Sequence, residues 1–149
     1  NPSKLLKKMA IYLKKGGLIL INDPEISFFF KFFLYLLKHE GWSFKINIFD
    51  LKKDIFKSNN PWSANNAVAN LLFKNEKKFN FHFSEYKIIK NDLSEFLVFI
   101  NSGGVVNNTF HIPVNKLVFD FLGLIDRWLI KIFPKIFALN RSVVLKKIN

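Results

Sequence analysis

The chain has 149 residues, enough for one domain with a hydrophobic core. Half of the residues are apolar and 19 are phenylalanine, which excludes a chain disordered by composition, and the lack of cysteine excludes disulfides and thiolate chemistry. The 23 basic and 11 acidic residues give a formal net charge of +12, which favours nucleic acid, anionic lipid or an anionic substrate as a partner, unless the lysines only form a solvated surface.

The first predicted elements are a helix, a glycine turn and a strand. Ser3–Leu13 (SKLLKKMAIYL) repeats apolar residues at helical spacing, with Ser3 as the predicted N-cap. Gly16-Gly17 suits the turn after this helix. The run Leu18–Ile21 (LILI) does not alternate with polar residues, which predicts a strand covered on both faces, as in a parallel sheet.

The middle of the chain predicts two helices and a second strand. Ser27–Lys38 indicates a Phe-rich helix, and Ser63–Asn75 indicates a helix that Ser63 can cap. Tyr86–Lys90 (YKIIK) reads as a strand. The stretch 45–49 (KINIF) between the helices alternates like a short strand, and the residues after it read as loop.

The last third predicts two further helices and a final strand. Asp92-Leu-Ser-Glu95 has the pattern of a capping box and predicts a helix that ends at residues 102–104. Pro113–Phe133 predicts a long helix with one narrow polar stripe, which we expect to be mostly buried or packed against another apolar surface. Arg141–Ile148 predicts the third strand. Without an internal repeat or a linker, residues 1–149 read as a single unit.

Four stretches carry a family resemblance. Tyr12–Leu18 (YLKKGGL) is similar to an L-K-P-G-G turn before a strand, with Lys15 at the proline position, and Asp23-Pro24-Glu25 is similar to the E-P ending of that strand. Asn66-Ala-Val, with the later Ser-Gly-Gly at 102–104, is similar to an aN-x-A helix start that is followed by an L-S-G-G turn. The residues FAL before VVLKK are similar to the entry into a last strand. In this order the chain resembles the C-terminal half of a class I S-adenosylmethionine-dependent methyltransferase.

The resemblance implies both a fold and a function. The fold is α/β, the C-terminal half of a Rossmann-like sheet: the three strands are the fifth, sixth and seventh, and the last is inserted antiparallel between the other two, with inserted helices. The implied cofactor of the full-length protein is S-adenosylmethionine, and the implied acceptor is a small-molecule or lipid-linked substrate. The family binds its cofactor through a glycine-rich turn in its N-terminal half, and glycines 16, 17, 41, 103, 104 and 123 form no such turn. We therefore expect a substrate-side fragment, inactive alone, that is completed by a missing N-terminal half.

Two pairs of residues are candidates for catalysis. Asp23 and Glu25 follow the first strand, and ligands of open α/β sheets bind beyond the carboxyl ends of strands. A carboxylate there can act as a base or orient the substrate, or it can only cap the next helix. His39-Glu40 is similar to an H-E pair that faces the substrate in related enzymes, and equally can cap the Phe-rich helix. Glu25 and His39 are the predicted catalytic residues, and Asp23 and Glu40 are predicted to bind substrate.

Aromatic, amide and backbone groups supply further candidates. A Trp can stack on a substrate ring, amides at a helix start can bond a ligand, and a Ser-Gly-Gly turn can bring backbone N–H groups close to it. Burial, capping and a simple turn are the structural alternatives. The residues predicted to bind substrate in this way are Trp62, Asn65, Asn66, Ser102, Gly103 and Gly104. His82 and His111 have no second His or Cys at ligand spacing, so the sequence predicts no metal site.

Neither of the two long apolar segments fits a membrane span. Ile26–Leu37 is shorter than the roughly 20 residues that a span requires, and Leu117–Leu139 is interrupted by charges. The five Phe residues between 28 and 33 allow two interpretations. They can form core on one side and a lid over the site on the other, or they can form an apolar pocket or a membrane-facing surface for a lipid-like substrate. Without a visible secretory signal we expect a cytoplasmic protein, with peripheral membrane contact left open.

A second function remains open from the sequence. A stand-alone basic module can dock on an anionic membrane surface or on nucleic acid through lysines and aromatics. Nucleic acid is the weaker alternative, because the Phe residues cluster in apolar runs and do not alternate with lysine.

Overall fold

The computed structural model describes residues 1–37, 41–51, 65–101 and 113–149. Helices separate the three strands along the chain, and a short 3₁₀ helix, Leu97–Asn101, follows the second strand. The other elements in chain order are α1 Pro2–Tyr12, β1 Leu18–Pro24, α2 Phe28–Leu37, α3 Val68–Phe73, α4 Glu76–His82, β2 Tyr86–Ser94, α5 Lys116–Ile132, α6 Pro134–Phe137 and β3 Asn140–Lys147.

The three strands form one open sheet with the last strand in the middle. Its order is β1-β3-β2, and β3 runs antiparallel to both neighbours, so β1 and β2 are parallel to each other. Leu145 of β3 is the partner of Ile19 in β1 and of Ile88 in β2, which fixes the register. The chain is therefore an α/β fold, and the strand order is the one that the resemblance implies.

The main core lies between one face of this sheet and helices α1, α3 and α4. Strand β3 supplies Val143 and Leu145, which are almost fully buried because they point into the cluster from the central strand. Aromatic rings fill the space beneath them: Phe73, Phe79 and Phe83 are each at most 1% exposed. A second, smaller cluster lies under α2 and consists of Ile26, Phe30, Leu34, Ala67 and Leu139.

The prediction that β1 is covered on both faces is wrong. Ile19 is buried in the main core, while its neighbours Leu18 and Leu20 are 49% and 76% exposed. The reason is that α1, α3 and α4 all contribute to the core on the Ile19 face. The apolar run therefore marks a strand with one covered and one open face, although the sequence pattern alone favoured two covered faces.

Several local boundaries differ from the sequence-based expectations. The Asn1 side chain accepts hydrogen bonds from Ser3 N and Lys4 N and caps α1, whereas the Ser3 hydroxyl is buried and donates to Ile48 O at 2.6 Å. Residues 45–49 form no strand; Ile48 and Phe49 fill the core as part of a loop. Of the helix predicted over Ser63–Asn75, the described residues contain only α3, and the predicted cap Ser63 lies outside them. Asn75 does not extend this helix, because its side chain accepts a hydrogen bond from Lys78 N at 3.0 Å and caps the separate helix α4.

The Phe-rich helix α2 turns an unpredicted face to the core. Its buried residues are Phe30 and Leu34, one turn apart, while Phe28, Phe32 and Tyr35 are exposed. On the side of α6, Phe29 stacks on Phe137 with ring centroids 5.4 Å apart.

The predicted capping box is also wrong. Residues 92–94 belong to β2, and Glu95 adopts a positive φ of 62°, which turns the chain out of the strand. The 3₁₀ helix that follows is capped from a distance by Asp126 of α5. This buried carboxylate accepts hydrogen bonds from the backbone N–H groups of residues 96, 97 and 98 at 2.9, 2.8 and 3.1 Å.

The long helix α5 is less buried than its sequence predicts. Its only buried residues are Asp126 and Ile130, so most of its apolar surface faces outward. It ends at Ile132, and Pro134 begins the short helix α6 as its first residue. In the part of the chain that the structure covers, none of the helices has both the length and the apolar character that crossing a bilayer requires.

Replacing Asp126 with Ala should destabilise the fold, because three backbone donors lose a charged acceptor. We expect a loss of about 2–3 kcal/mol in the free energy of unfolding, measured by urea denaturation. Amide hydrogen exchange at residues 96–98 should become faster. Asp120→Ala is the control, since among the described residues that exposed carboxylate pairs only with Lys116 one turn away and should contribute less than about 0.5 kcal/mol. Unchanged exchange at residues 96–98 in the Asp126 variant would contradict the assignment.

Candidate functional site

A buried ion pair lies just beyond the carboxyl end of β1. Oε2 of Glu25 accepts a hydrogen bond from Nε of Arg141 at 2.6 Å, and Oε1 accepts one from Nδ2 of Asn70 at 2.7 Å. All three residues are less than 9% exposed. Both oxygens of the carboxylate are therefore engaged, and its charge is balanced by the guanidinium.

The hydrogen bonds continue from this pair into three other elements. Nη1 of Arg141 donates to Oδ1 of Asn91 in β2 at 2.6 Å, and Nδ2 of Asn91 donates to Oε1 of Glu76 in α4 at 2.8 Å. On the other side, Oδ1 of Asn70 in α3 accepts from the Ile26 N–H at 2.8 Å. We call Glu25, Asn70, Asn91 and Arg141 the Glu25 network.

A cavity of about 450 Å³ adjoins the Glu25 network. Glu25, Asn70 and Arg141 form part of its wall, and apolar side chains including Phe28, Phe44 and Leu93 form another part. Three exposed lysines from different elements complete the lining: Lys31, Lys74 and Lys135. Among the described residues none of these three ammonium groups has a hydrogen-bond or ion-pair partner. This lysine cavity is suited to a ligand with an anionic group and an apolar body.

Asp23 lies on β1 opposite Arg141 in the register with β3. Burial raises the pKa of Asp23 from 3.8 to about 6, and a hydrogen bond from the Ala69 backbone opposes the shift. A carboxyl group with this pKa is largely ionised at neutral pH and can still exchange a proton, which is the property of a general base.

The two acidic residues do not cap α2. The hydroxyl oxygen of Ser27 accepts from the Phe30 N–H at 3.2 Å in the first turn of that helix. Asp23 and Glu25 contact α3 instead, through the Ala69 backbone and the Asn70 side chain. The structure thus brings these two predicted residues to the same end of β1, and a role for either in catalysis stays a prediction.

The two predicted asparagines hold the chain at the start of α3. Oδ1 of Asn65 accepts from the backbone N–H of Ser43 at 2.8 Å, and its Nδ2 donates to the Ser43 carbonyl at 2.9 Å. Asn66 is buried, and its backbone N–H donates to the Gly41 carbonyl at 3.4 Å. These hydrogen bonds hold residues 41–43 against the segment that leads into α3. The remaining predicted site residues lie outside the described residues: His39, Glu40, Trp62, Ser102, Gly103 and Gly104.

Sequence reasoning missed most of the residues that surround the cavity. Arg141 carried a usable signal, because the chain has only two arginines among its 23 basic residues, and arginine is preferred for buried pairs. Asn70 carried a weaker one, since asparagine is a poor residue for a helix interior. The three lysines of the cavity carried none, because they are indistinguishable in sequence from the other lysines.

The described residues contain no group of three or more His, Cys, Asp or Glu side chains that could hold a metal ion. His82 stacks on Phe49, with ring centroids 4.2 Å apart, and its Nδ1 lies 2.9 Å from the Lys78 carbonyl oxygen. In comparisons with known proteins, no family model matches the sequence, and neither a curated protein nor a solved structure shows significant similarity to the chain.

Breaking the buried pair from one side should cost more than removing it from both. Arg141→Met leaves the Glu25 carboxylate buried without its cation, and we expect a loss of about 3–5 kcal/mol in the free energy of unfolding. In the double variant with Glu25→Gln the loss should be smaller than the sum of the two single losses by at least about 1 kcal/mol. The same double-mutant cycle on the exposed pair Lys90 and Asp92 is the control, with an expected coupling below about 0.5 kcal/mol. Additive losses at the buried pair would show that its two members act independently.

Asp23 should make stability depend on pH between about 4 and 6. Its pKa is higher in the folded chain, so its contribution to stability is fully present below pH 4 and is lost as the pH rises through 6. Asp23→Asn removes this titration. The free energy of unfolding of the variant minus that of wild type should therefore rise by on the order of 2 kcal/mol between pH 4 and pH 7. The measurement is urea denaturation at each pH. Asp92→Asn, at an exposed position, is the control and should show no such gain; a flat difference for the Asp23 variant would refute the raised pKa.

Proposed function

We propose that this chain is the substrate-side half of an S-adenosylmethionine-dependent methyltransferase domain. Its acceptor is a small-molecule or lipid-linked compound that carries an anionic group. The single observation that carries the proposal is the strand order β1-β3-β2, with the last strand antiparallel between two parallel ones. The sequence resemblance implies the same arrangement. The motifs that carry the resemblance do not by themselves specify which strand is central.

The open surfaces of the sheet also support the proposal. Among the described strands β1 pairs only with β3, so the backbone groups on its other edge are available to a further strand. Leu18 and Leu20 leave an apolar surface on the sheet face opposite the core. A second half-domain that adds strands beside β1 and helices on this face would cover both surfaces.

The described residues do not fit the cofactor. A turn that holds such a ligand needs glycines at the carboxyl end of a strand, where the backbone can approach closely. The glycines in the described ranges lie elsewhere: 16 and 17 before β1, 41 in a loop and 123 within α5. In this proposal the cofactor belongs to the other half of the domain.

The contribution of this chain is to bind and orient the acceptor. The lysine cavity lies beside the carboxyl end of β1, the end where open α/β sheets bind ligands. Lys31, Lys74 and Lys135 can hold an anionic group, and the Phe28 and Phe44 rings can contact an apolar body. The Glu25 network holds β1, α3 and β3 together behind these groups and so fixes the shape of the cavity. Correct placement of an acceptor accounts for much of the rate in reactions of this kind.

The test uses the full-length protein that contains this chain. Isothermal titration should detect S-adenosylmethionine binding, and radioactive methyl transfer to lipid and small-molecule extracts should identify the acceptor. Replacing Lys31, Lys74 and Lys135 together with Gln should raise the KM for that acceptor about tenfold or more and leave the cofactor Kd unchanged.

The matched control replaces Lys8, Lys14 and Lys15 with Gln, which changes the net charge equally at exposed positions away from the cavity. Its KM should stay within about twofold of wild type. A full-length protein that does not bind S-adenosylmethionine would overturn the proposed function. Equal KM values in the two triple variants would remove the lysine cavity from the acceptor site.

A further inference from the structure

Helix α5 has apolar side chains on two opposite sides. One side packs on β2 and the 3₁₀ helix through Asp126 and Ile130. On the opposite side five large apolar residues follow one another at intervals of four, three, four and four positions, which places them in one row at helical spacing. Their exposed fractions lie between 46% and 78%. We call this row the apolar stripe: Leu117, Phe121, Leu124, Trp128 and Ile132.

Cations border the apolar stripe along one edge. Lys116, Arg127 and Lys131 lie on that edge of α5, with Asp120 as the one acidic residue between them. Within the described ranges, neither Arg127 nor Lys131 forms an ion pair with a carboxylate. The edge therefore has an excess of positive charge next to a continuous apolar surface.

The length and charge of the helix limit what can cover the stripe. At 17 residues α5 is about 25 Å long, and the stripe runs along most of this length as one continuous surface. The apolar residues that are exposed on an ordinary soluble surface are scattered singly. Aromatic and Leu side chains beside a Lys/Arg edge are the composition of a helix that lies in the plane of a membrane interface. The net charge of +12 adds a long-range attraction to an anionic surface.

The stripe is separate from the surface that would complete the sheet. In the proposed completion further strands add at the free edge of β1, whereas α5 contacts β2, the strand at the other edge of the described sheet. A half-domain that extends the sheet therefore does not account for the stripe.

From these observations we infer that α5 docks the protein on an anionic lipid surface. The apolar stripe enters the boundary between headgroups and acyl chains, and Arg127 and Lys131 contact lipid phosphates. The buried side of the helix, anchored by Asp126 and Ile130, stays on the domain. This inference goes beyond the proposed methyltransferase function and does not depend on it, although it would bring a lipid-linked acceptor to the protein.

The experiment measures co-flotation of the whole chain with vesicles of phosphatidylcholine, with and without phosphatidylglycerol. We expect binding to the anionic vesicles that weakens in high salt, and little binding to the neutral ones. Leu124→Glu with Trp128→Glu should lower the apparent affinity at least tenfold, because both changes place charge in the stripe. Phe81→Glu with Tyr12→Glu is the matched control, since these residues are 83% and 77% exposed on α4 and α1 and the change in net charge is the same, and it should change the affinity less than twofold.

A second pair of variants tests the cationic edge. Arg127→Gln with Lys131→Gln should lower the affinity about tenfold or more, and Lys14→Gln with Lys15→Gln, the same change in net charge, should lower it clearly less. Circular dichroism and thermal unfolding of each variant establish that it is folded.

Absence of binding to anionic vesicles, or equal affinities of stripe and control variants, would overturn the inference. So would a concentration-dependent dimer, measured by sedimentation, that the stripe variant abolishes, because the stripe would then join two copies of this chain. None of these readouts requires cofactor or acceptor, so they fail or succeed independently of methyl transfer.

Discussion

The buried pair of Glu25 and Arg141 is the interaction on which the arrangement of this fold depends. A guanidinium and a carboxylate are costly to remove from water, and here the cost is offset by short hydrogen bonds on both sides, to Asn70 and to Asn91. Through these partners the pair connects the end of β1 with α3, β3 and β2. The chain segments that it joins are up to 116 residues apart in sequence. The cavity beside the pair can keep one shape because its back wall is held in this way.

The second constraint is the amount of apolar surface that the chain leaves uncovered. Among the described strands the sheet has one covered face and β1 has a free edge, and α5 presents the apolar stripe opposite its buried side. Surfaces of this extent on a small domain are ordinarily contact surfaces. The two proposals assign them separately: a second half-domain covers the sheet face and the β1 edge, and an anionic lipid surface covers the stripe. Each assignment rests on the position of the surface relative to the strand order.

Much of the fold follows from local sequence patterns. The three strands and helices α1, α2 and α5 lie close to where apolar periodicity and the Gly16-Gly17 turn predict them, because these signals act over a few residues. Two of the errors concern helix caps. Asp92–Glu95 resembles a capping box, yet the 3₁₀ helix is capped by Asp126, about 30 residues later. Likewise the Ser63–Asn75 pattern did not reveal that Asn75 caps a separate helix. A cap supplied by a distant residue leaves no local pattern, and Asn75 can be read from the sequence either as the end of one helix or as the cap of the next.

For the candidate site, the sequence by itself determined the place but not the partners. The acidic residues after the first strand identified the carboxyl end of β1, because strand ends and acidic residues can be read locally. Only the tertiary structure decided that Glu25 is paired with Arg141, that burial raises the pKa of Asp23, and that three lysines from separate elements line one cavity. It also decided which faces of β1 and α5 are covered. Burial and charge pairing depend on which distant segments meet in space, and one-dimensional spacing does not contain that information.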